Sequence, residues 1–174
     1  MGIFLNVKAS RKQNNIKLFD MRLEAYETII SLHATSKTGS LRQLLSMLEN
    51  DQKVDYELLR MAFFLMTCSK HDEYAKYDFS KFDDKTFAKL SAKCAETILC
   101  IEKLPFLFKS KSIRNLRKFA LAHQSVLLQI YSLLTNDNAN NRKEMKKKLI
   151  ELFRQLDILN STTTLENLKS QTKL

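Results

Sequence analysis

Apolar residues recur along this chain at spacings of three and four, the mark of helices with one face turned to a core. In residues 15–33, Phe19, Leu23, Tyr26, Ile30 and His33 fall on one stripe, while Asp20, Arg22, Glu24 and Glu27 lie mostly off it. The pattern predicts a helix there, broken by residues 35–39. Ser40 is placed to cap a short second helix running to Leu48, with Leu41, Leu44, Leu45 and Leu48 buried. Asn50, Asp51 and Gln52 make a turn, after which Asp55 is placed to cap a third helix. Leu58, Leu59, Met61, Ala62, Phe63, Phe64, Leu65 and Met66 make that helix apolar nearly all round, as expected of a central element.

Residues 71–84 form the longest polar connection, in which Tyr74, Tyr77, Phe79 and Phe82 are expected to pin the loop to the core. A fourth helix starts at Asp83 or Asp84. Its predicted apolar face is Phe87, Leu90, Cys94, Ile98 and Ile101, and Pro105 is expected to end it soon after Lys103. A fifth helix is predicted over 112–134 and a polar turn over 136–141. A sixth helix then runs to about Leu159, with Met145, Leu149, Leu152, Phe153 and Leu156 as its stripe. The Ser/Thr-rich residues 160–174 read as a polar tail. No internal repeat and no linker divides residues 1–159, so the expectation is one all-α bundle of about six helices.

Composition supports that class. The chain of 174 residues holds two glycines and one proline, too few turn residues for hairpins and sheets. Cys68, Cys94 and Cys100 follow neither a zinc nor a redox spacing and lie in apolar helical settings. Buried reduced thiols are expected, which suits a cytoplasmic protein. No apolar run approaches the roughly 18 residues of a membrane span, and the start is too short in apolar residues for a signal peptide.

Charge adds a direction. The net value of +10 is uneven: residues 1–48 carry +4, residues 49–102 carry −3, and residues 103–174 carry +9. A basic C-terminal third attracts phosphate or an acidic protein surface. Codon bias toward lysine and asparagine would also raise the overall charge, but explains its clustering less well. Lys109, Lys111, Arg114, Arg117 and Lys118 gather at the start of the fifth helix, where the helix dipole already disfavours cations. That arrangement points to an anion. Arg142, Lys143, Lys146 and Lys147 make a basic face on the sixth helix, opposite Met145, Leu149 and Leu152. If the two clusters adjoin, one broad positive surface results; a solvated helix face is the plainer alternative.

Arg117 and His123 are the candidate chemical pair. Six residues apart on one helix, they project about 120° from each other with roughly 9 Å of rise, so they need a groove or a dimer axis to converge. A guanidinium clamps phosphate oxygens, and a histidine moves a proton to or from a ribose 2′-hydroxyl. Together they would cleave RNA without a metal.

The stretch Leu116, Arg117, Lys118, Phe119, Ala120, Leu121, Ala122, His123 resembles the signature of the HEPN superfamily, an arginine, then four to six residues, then a histidine. The resemblance implies a helical bundle, frequent homodimers, and a composite site of Arg117 and His123 from both subunits. It also implies metal-independent RNase activity in many members, commonly in toxin–antitoxin or phage-defence systems. Other members are inactive and only bind nucleotides or partners. Two positions depart from the pattern: Lys118 stands where active members commonly carry Asn, Asp or His, and Ser125 where the adenylylated subgroup carries Tyr.

A metal reading of His33, His71, Asp72 and Asp137 is weaker. Lys70 would compete with the ion, and Asp137 lies in an asparagine-rich turn. No metal and no other cofactor is expected. Two functions emerge: an HEPN-like protein that binds or cleaves RNA, and a non-enzymatic helical interaction protein whose basic surface meets an acidic protein partner or nucleic acid.

Overall fold

The computed structural model describes residues 2–50, 56–67, 84–108, 113–136 and 138–162, together with Leu165, Lys169 and Thr172. These residues form six helices, α1 (Gly2–Ser36), α2 (Gly39–Glu49), α3 (Tyr56–Thr67), α4 (Asp84–Leu107), α5 (Ile113–Thr135) and α6 (Ala139–Thr162), with no strand among the described residues. The fold is all-α, as the periodicity predicts. The described part holds no helix long and apolar enough to cross a membrane. The proposed cap Asp55 and the aromatic connection with Tyr74, Tyr77, Phe79 and Phe82 lie outside the described residues.

Helix α3 is central. Leu58, Leu59, Ala62, Phe63, Phe64 and Met66 are all buried, and the helix packs against α1, α2, α4 and α5. The rings of Phe63 and Phe64 meet edge-on at 5.8 Å between centroids. Tyr56 donates its hydroxyl to Leu134 O at 2.8 Å, fixing the start of α3 to the end of α5. Helix α5 packs most extensively on α6 and also touches α1, α3 and α4. Leu116, Phe119, Val126, Leu127 and Ile130 are fully enclosed, each worth about 1.5–3 kcal/mol of transfer free energy.

Several local expectations need correction. First, α1 begins at Gly2 rather than near residue 15. Ser10 and residues 12–17 are all exposed, so this part of α1 carries no core-facing stripe that a periodicity could reveal. Second, α1 turns toward the core a different face from the predicted stripe. Ala25, Thr28, Ile29 and Leu32 are buried, whereas Leu23 and Ile30 are exposed. Small side chains let α4 come close here, and Cys100 Sγ reaches Ala25 O at 3.5 Å.

Third, α4 is rotated likewise. Phe87 and Ile98 are exposed, and Lys93 and Thr97 take buried positions beside Leu90, Ile101 and Leu104. Both polar residues are satisfied locally, as burial demands. Lys93 Nζ donates to Glu96 Oε2 at 3.1 Å, and Thr97 Oγ1 donates to Lys93 O at 2.8 Å. Pro105 lies inside the last turn of α4 instead of beyond its end. A proline there loses its own N–H bond and sets its ring against the carbonyl four residues back; burial of Leu104 and Leu107 carries the turn through.

Fourth, Ser40 lies within α2, whose N-cap is Thr38 in an extended conformation (φ −64°, ψ 146°). The Thr38 hydroxyl instead donates to Thr35 O at 3.0 Å, closing the end of α1. The α5–α6 turn is shorter than predicted. Asn138 ends it by accepting the Asn141 N–H on Oδ1 at 3.5 Å and the Arg142 N–H on its carbonyl at 3.0 Å, the geometry of an asparagine N-cap. At the other end α6 continues through residues 160–162, past its predicted end near Leu159.

Candidate functional site

The two faces of α5 separate the candidate residues. Leu116, Phe119, Ala120, His123, Leu127 and Ile130 line the buried face, while Arg114, Arg117, Lys118 and Leu121 are exposed. Arg117 and His123 therefore belong to different sides of one helix, as their spacing of about 120° requires. Among the described residues the two side chains do not line a common hollow.

His123 is enclosed, with 1% of its surface exposed. Its Nε2 lies 3.1 Å from Thr35 Oγ1. That hydroxyl also sits 3.0 Å from both Ser31 O and Leu32 O, so its single proton has three acceptors within reach, and the direction of the bond to the ring follows the imidazole tautomer. Burial pulls the pKa of this ring down to about 3, and the charge of Lys93 pushes the same way. The ring is neutral at physiological pH and pins the end of α1 to the middle of α5. A histidine held in this way does not reach a phosphate without parting those helices. Within the described chain the imidazole faces the core and the Arg117 guanidinium faces solvent.

His33 is the other described histidine. Its ring packs on Phe119 with centroids 5.8 Å apart. Its pKa is lowered, first by burial and then by Lys37, against a raising hydrogen bond to the Asn160 backbone. His71, Asp72 and Asp137 lie outside the described residues, and no cluster of metal-ligating side chains occurs among those described. Cys100 is buried and Cys94 half-buried, both as free thiols. Burial pushes Cys100 up to about 12 and raises Cys94, which leaves neither as a ready thiolate. Cys68 lies outside the described residues.

The basic candidates divide into two groups. Lys109 and Lys111 lie outside the described residues; Arg114, Arg117 and Lys118 are exposed on the first turns of α5. On α6, Lys143 and Lys147 are exposed and Arg142 and Lys146 half-buried; Lys148, beyond the predicted set, is exposed as well. The helices run antiparallel. Gln129 Nε2 donates to Met145 O at 3.1 Å, which sets Lys143 to Lys147 level with the C-terminal half of α5. Lys118 lies eleven residues before Gln129, about 16 Å along the axis. The two basic clusters therefore stand at opposite ends of the hairpin and do not merge into one patch.

Between them runs a feature the sequence did not announce. A groove of about 660 Å³ is lined on α5 by Lys118, Leu121 and Ala122, and on α6 by Glu151, Arg154 and Ile158. Leu121 is 50% exposed and Ile158 64% exposed. Arg154 is held at the edge by Glu49, which accepts from Nε at 3.0 Å and Nη2 at 2.9 Å. The signal was weak because Leu121 and Ile158 read as ordinary helix surface until α5 and α6 are set side by side. No family model, curated protein or solved structure matches the chain.

Proposed function

We propose that this protein is a non-enzymatic helical binding module that docks an acidic macromolecule on the outer surface of the α5–α6 hairpin. The observation that carries the reading is the division of α5 into a sealed face and a charged one. His123, the one side chain of the candidate pair that could move a proton at neutral pH, is used inside as a packing and hydrogen-bonding group. Arg114, Arg117, Lys118, Lys143, Lys147 and Lys148 are turned to solvent, and none of them makes an ion pair among the described residues. Uncompensated cations at an exposed surface favour polyanions through long-range attraction and counterion release.

The metal-independent ribonuclease implied by the HEPN-like resemblance would use the same cations to hold RNA. It would also need the imidazole at the scissile phosphate, and the enclosure of His123 weighs against that step.

The test is binding of two labelled polyanions, a poly-glutamate and a single-stranded RNA, followed by anisotropy across a salt series. Engagement of six cations by a single strand gives a slope of about −4 in log K against log salt. Charge reversal at Lys143, Lys147 and Lys148 is expected to weaken both probes at least tenfold, and reversal at Arg114, Arg117 and Lys118 likewise. Binding of neither probe at low salt, or unchanged binding by both reversed variants, would end the proposal.

A further inference from the structure

The α5–α6 groove has the length, floor and rim of a seat for one helix. On α6 its lining runs from Glu151 to Leu159 and on α5 from Lys118 to Ser125, each close to 11–12 Å of axial rise, or two helical turns. Its floor is aliphatic: Leu121 and Ala122 on one side, Ile158 and Leu159 on the other. Cations flank both ends. Arg114 and Arg117 lie within one turn of Lys118, and Lys147 and Lys148 lie within one turn of Glu151 on the other helix. From the level of Arg114 to the level of Lys147, in the register set by Gln129 and Met145, is about 20 Å.

We infer that this groove binds an amphipathic helix of a partner protein. That helix presents apolar side chains at i, i+3 or i+4, and i+7 to the floor, and carries acidic residues at its two ends. Two turns of apolar contact match the groove, and acids about 20 Å apart match the two basic clusters. Helix-in-groove recognition has this form, with anchors supplying affinity and flanking charge supplying orientation. A nucleic-acid strand fits less well. The groove is lined by no aromatic ring on which a base would stack, and its aliphatic side chains Leu121, Ala122, Ile158 and Leu159 offer a strand no hydrogen bond. This inference rests on the reading of the hairpin's outer surface as a docking surface, and adds the class of partner and the place where it sits.

The experiment uses the full chain and a small set of labelled peptides of about 16 residues. Each has Leu, Ile, Met or Phe at the anchor positions and Glu at both ends, and each is paired with a scrambled peptide of identical composition. The single-stranded RNA is measured in parallel. The patterned peptides are expected to bind at least tenfold more tightly than their scrambled partners. Leu121→Glu and Ile158→Glu, both at exposed positions, are expected to remove that difference, with folding checked by circular dichroism. Neither substitution is expected to alter RNA binding by more than about the one charge added.

Equal binding of patterned and scrambled peptides, with salt-dependent binding of both, would overturn the helix seat while leaving the basic docking surface standing. Failure of every polyanion to bind would overturn both. Loss of RNA binding in Leu121→Glu, with no peptide preference, would assign the groove to nucleic acid. A concentration-dependent dimer of the unmodified protein that Leu121→Glu dissolves would assign it to a second copy of the chain. Either of the last two results also overturns the inference.

Discussion

The enclosure of His123 makes a quantitative prediction about acid stability. In the unfolded chain a histidine titrates near 6.5, whereas burial holds this ring at about 3 in the folded chain. As pH falls below 6.5 the unfolded chain takes up a proton that the folded chain refuses, so folding stability declines with acidity until about pH 3. Between pH 7.5 and pH 5 the loss from this one group is about 2 kcal/mol. Its size at pH 5 hardly depends on where the folded value lies, provided that value is well below 5. His123→Gln removes the titrating ring and retains an amide able to donate to or accept from Thr35 Oγ1. Urea unfolding of the two proteins at both pH values isolates the effect, because His33 and the carboxylates contribute alike to each. The wild type should lose about 2 kcal/mol more than the variant, or roughly 1 M in urea midpoint for a slope near 2 kcal/mol/M. An equal pH response in the two proteins, or a ring that titrates near 6.5 in the folded protein by NMR, would refute the reasoning.

Further outcomes follow from the same contacts. Thr35→Val leaves the buried His123 Nε2 without its hydrogen-bond partner and should cost about 1–3 kcal/mol, more than the same change at an exposed threonine; urea midpoints measure it. Phe63→Ala opens a hole at the centre of α3 and should cost about 3–5 kcal/mol, read by thermal unfolding. In a Cys68→Ser background at pH 8, Cys100 should stay unreactive toward a disulfide reagent until the protein unfolds, because its thiol is buried and titrates at about 12. Cys94 should react more slowly than an exposed thiol under the same conditions. Fast labelling of both in the folded protein would contradict the packing of α4 on α1 and α5.

The helix count and the central place of α3 were legible because they rest on strong signals: scarce Gly and Pro, and a run apolar on all sides. The start of α1 was hidden since its first described side chains face water and carry no period. The faces of α1 and α4 were misjudged by a part of a turn for a specific reason. Periodicity places large apolar residues inwards, but Thr28, Lys93 and Thr97 enter the core here because neighbouring groups satisfy them, while Phe87 and Ile98 remain outside. The role of His123 was readable in principle. Leu116, Phe119, His123, Val126 and Ile130 follow the three-and-four spacing of a buried stripe, which places the imidazole with the leucines and Arg117 with the solvent. The groove was not readable, since it depends on how α5 and α6 align, a register marked by the Gln129–Met145 hydrogen bond.

Docking without bond cleavage is tested most directly by following one labelled single-stranded RNA with the wild type, Arg117→Ala and His123→Gln. Native gels report the complex and denaturing gels the length of the strand. The account predicts a complex at low salt that dissolves as salt rises, unaltered by His123→Gln, with the RNA at full length in all three. Shortening of the strand by the wild type, abolished by either substitution, would contradict it.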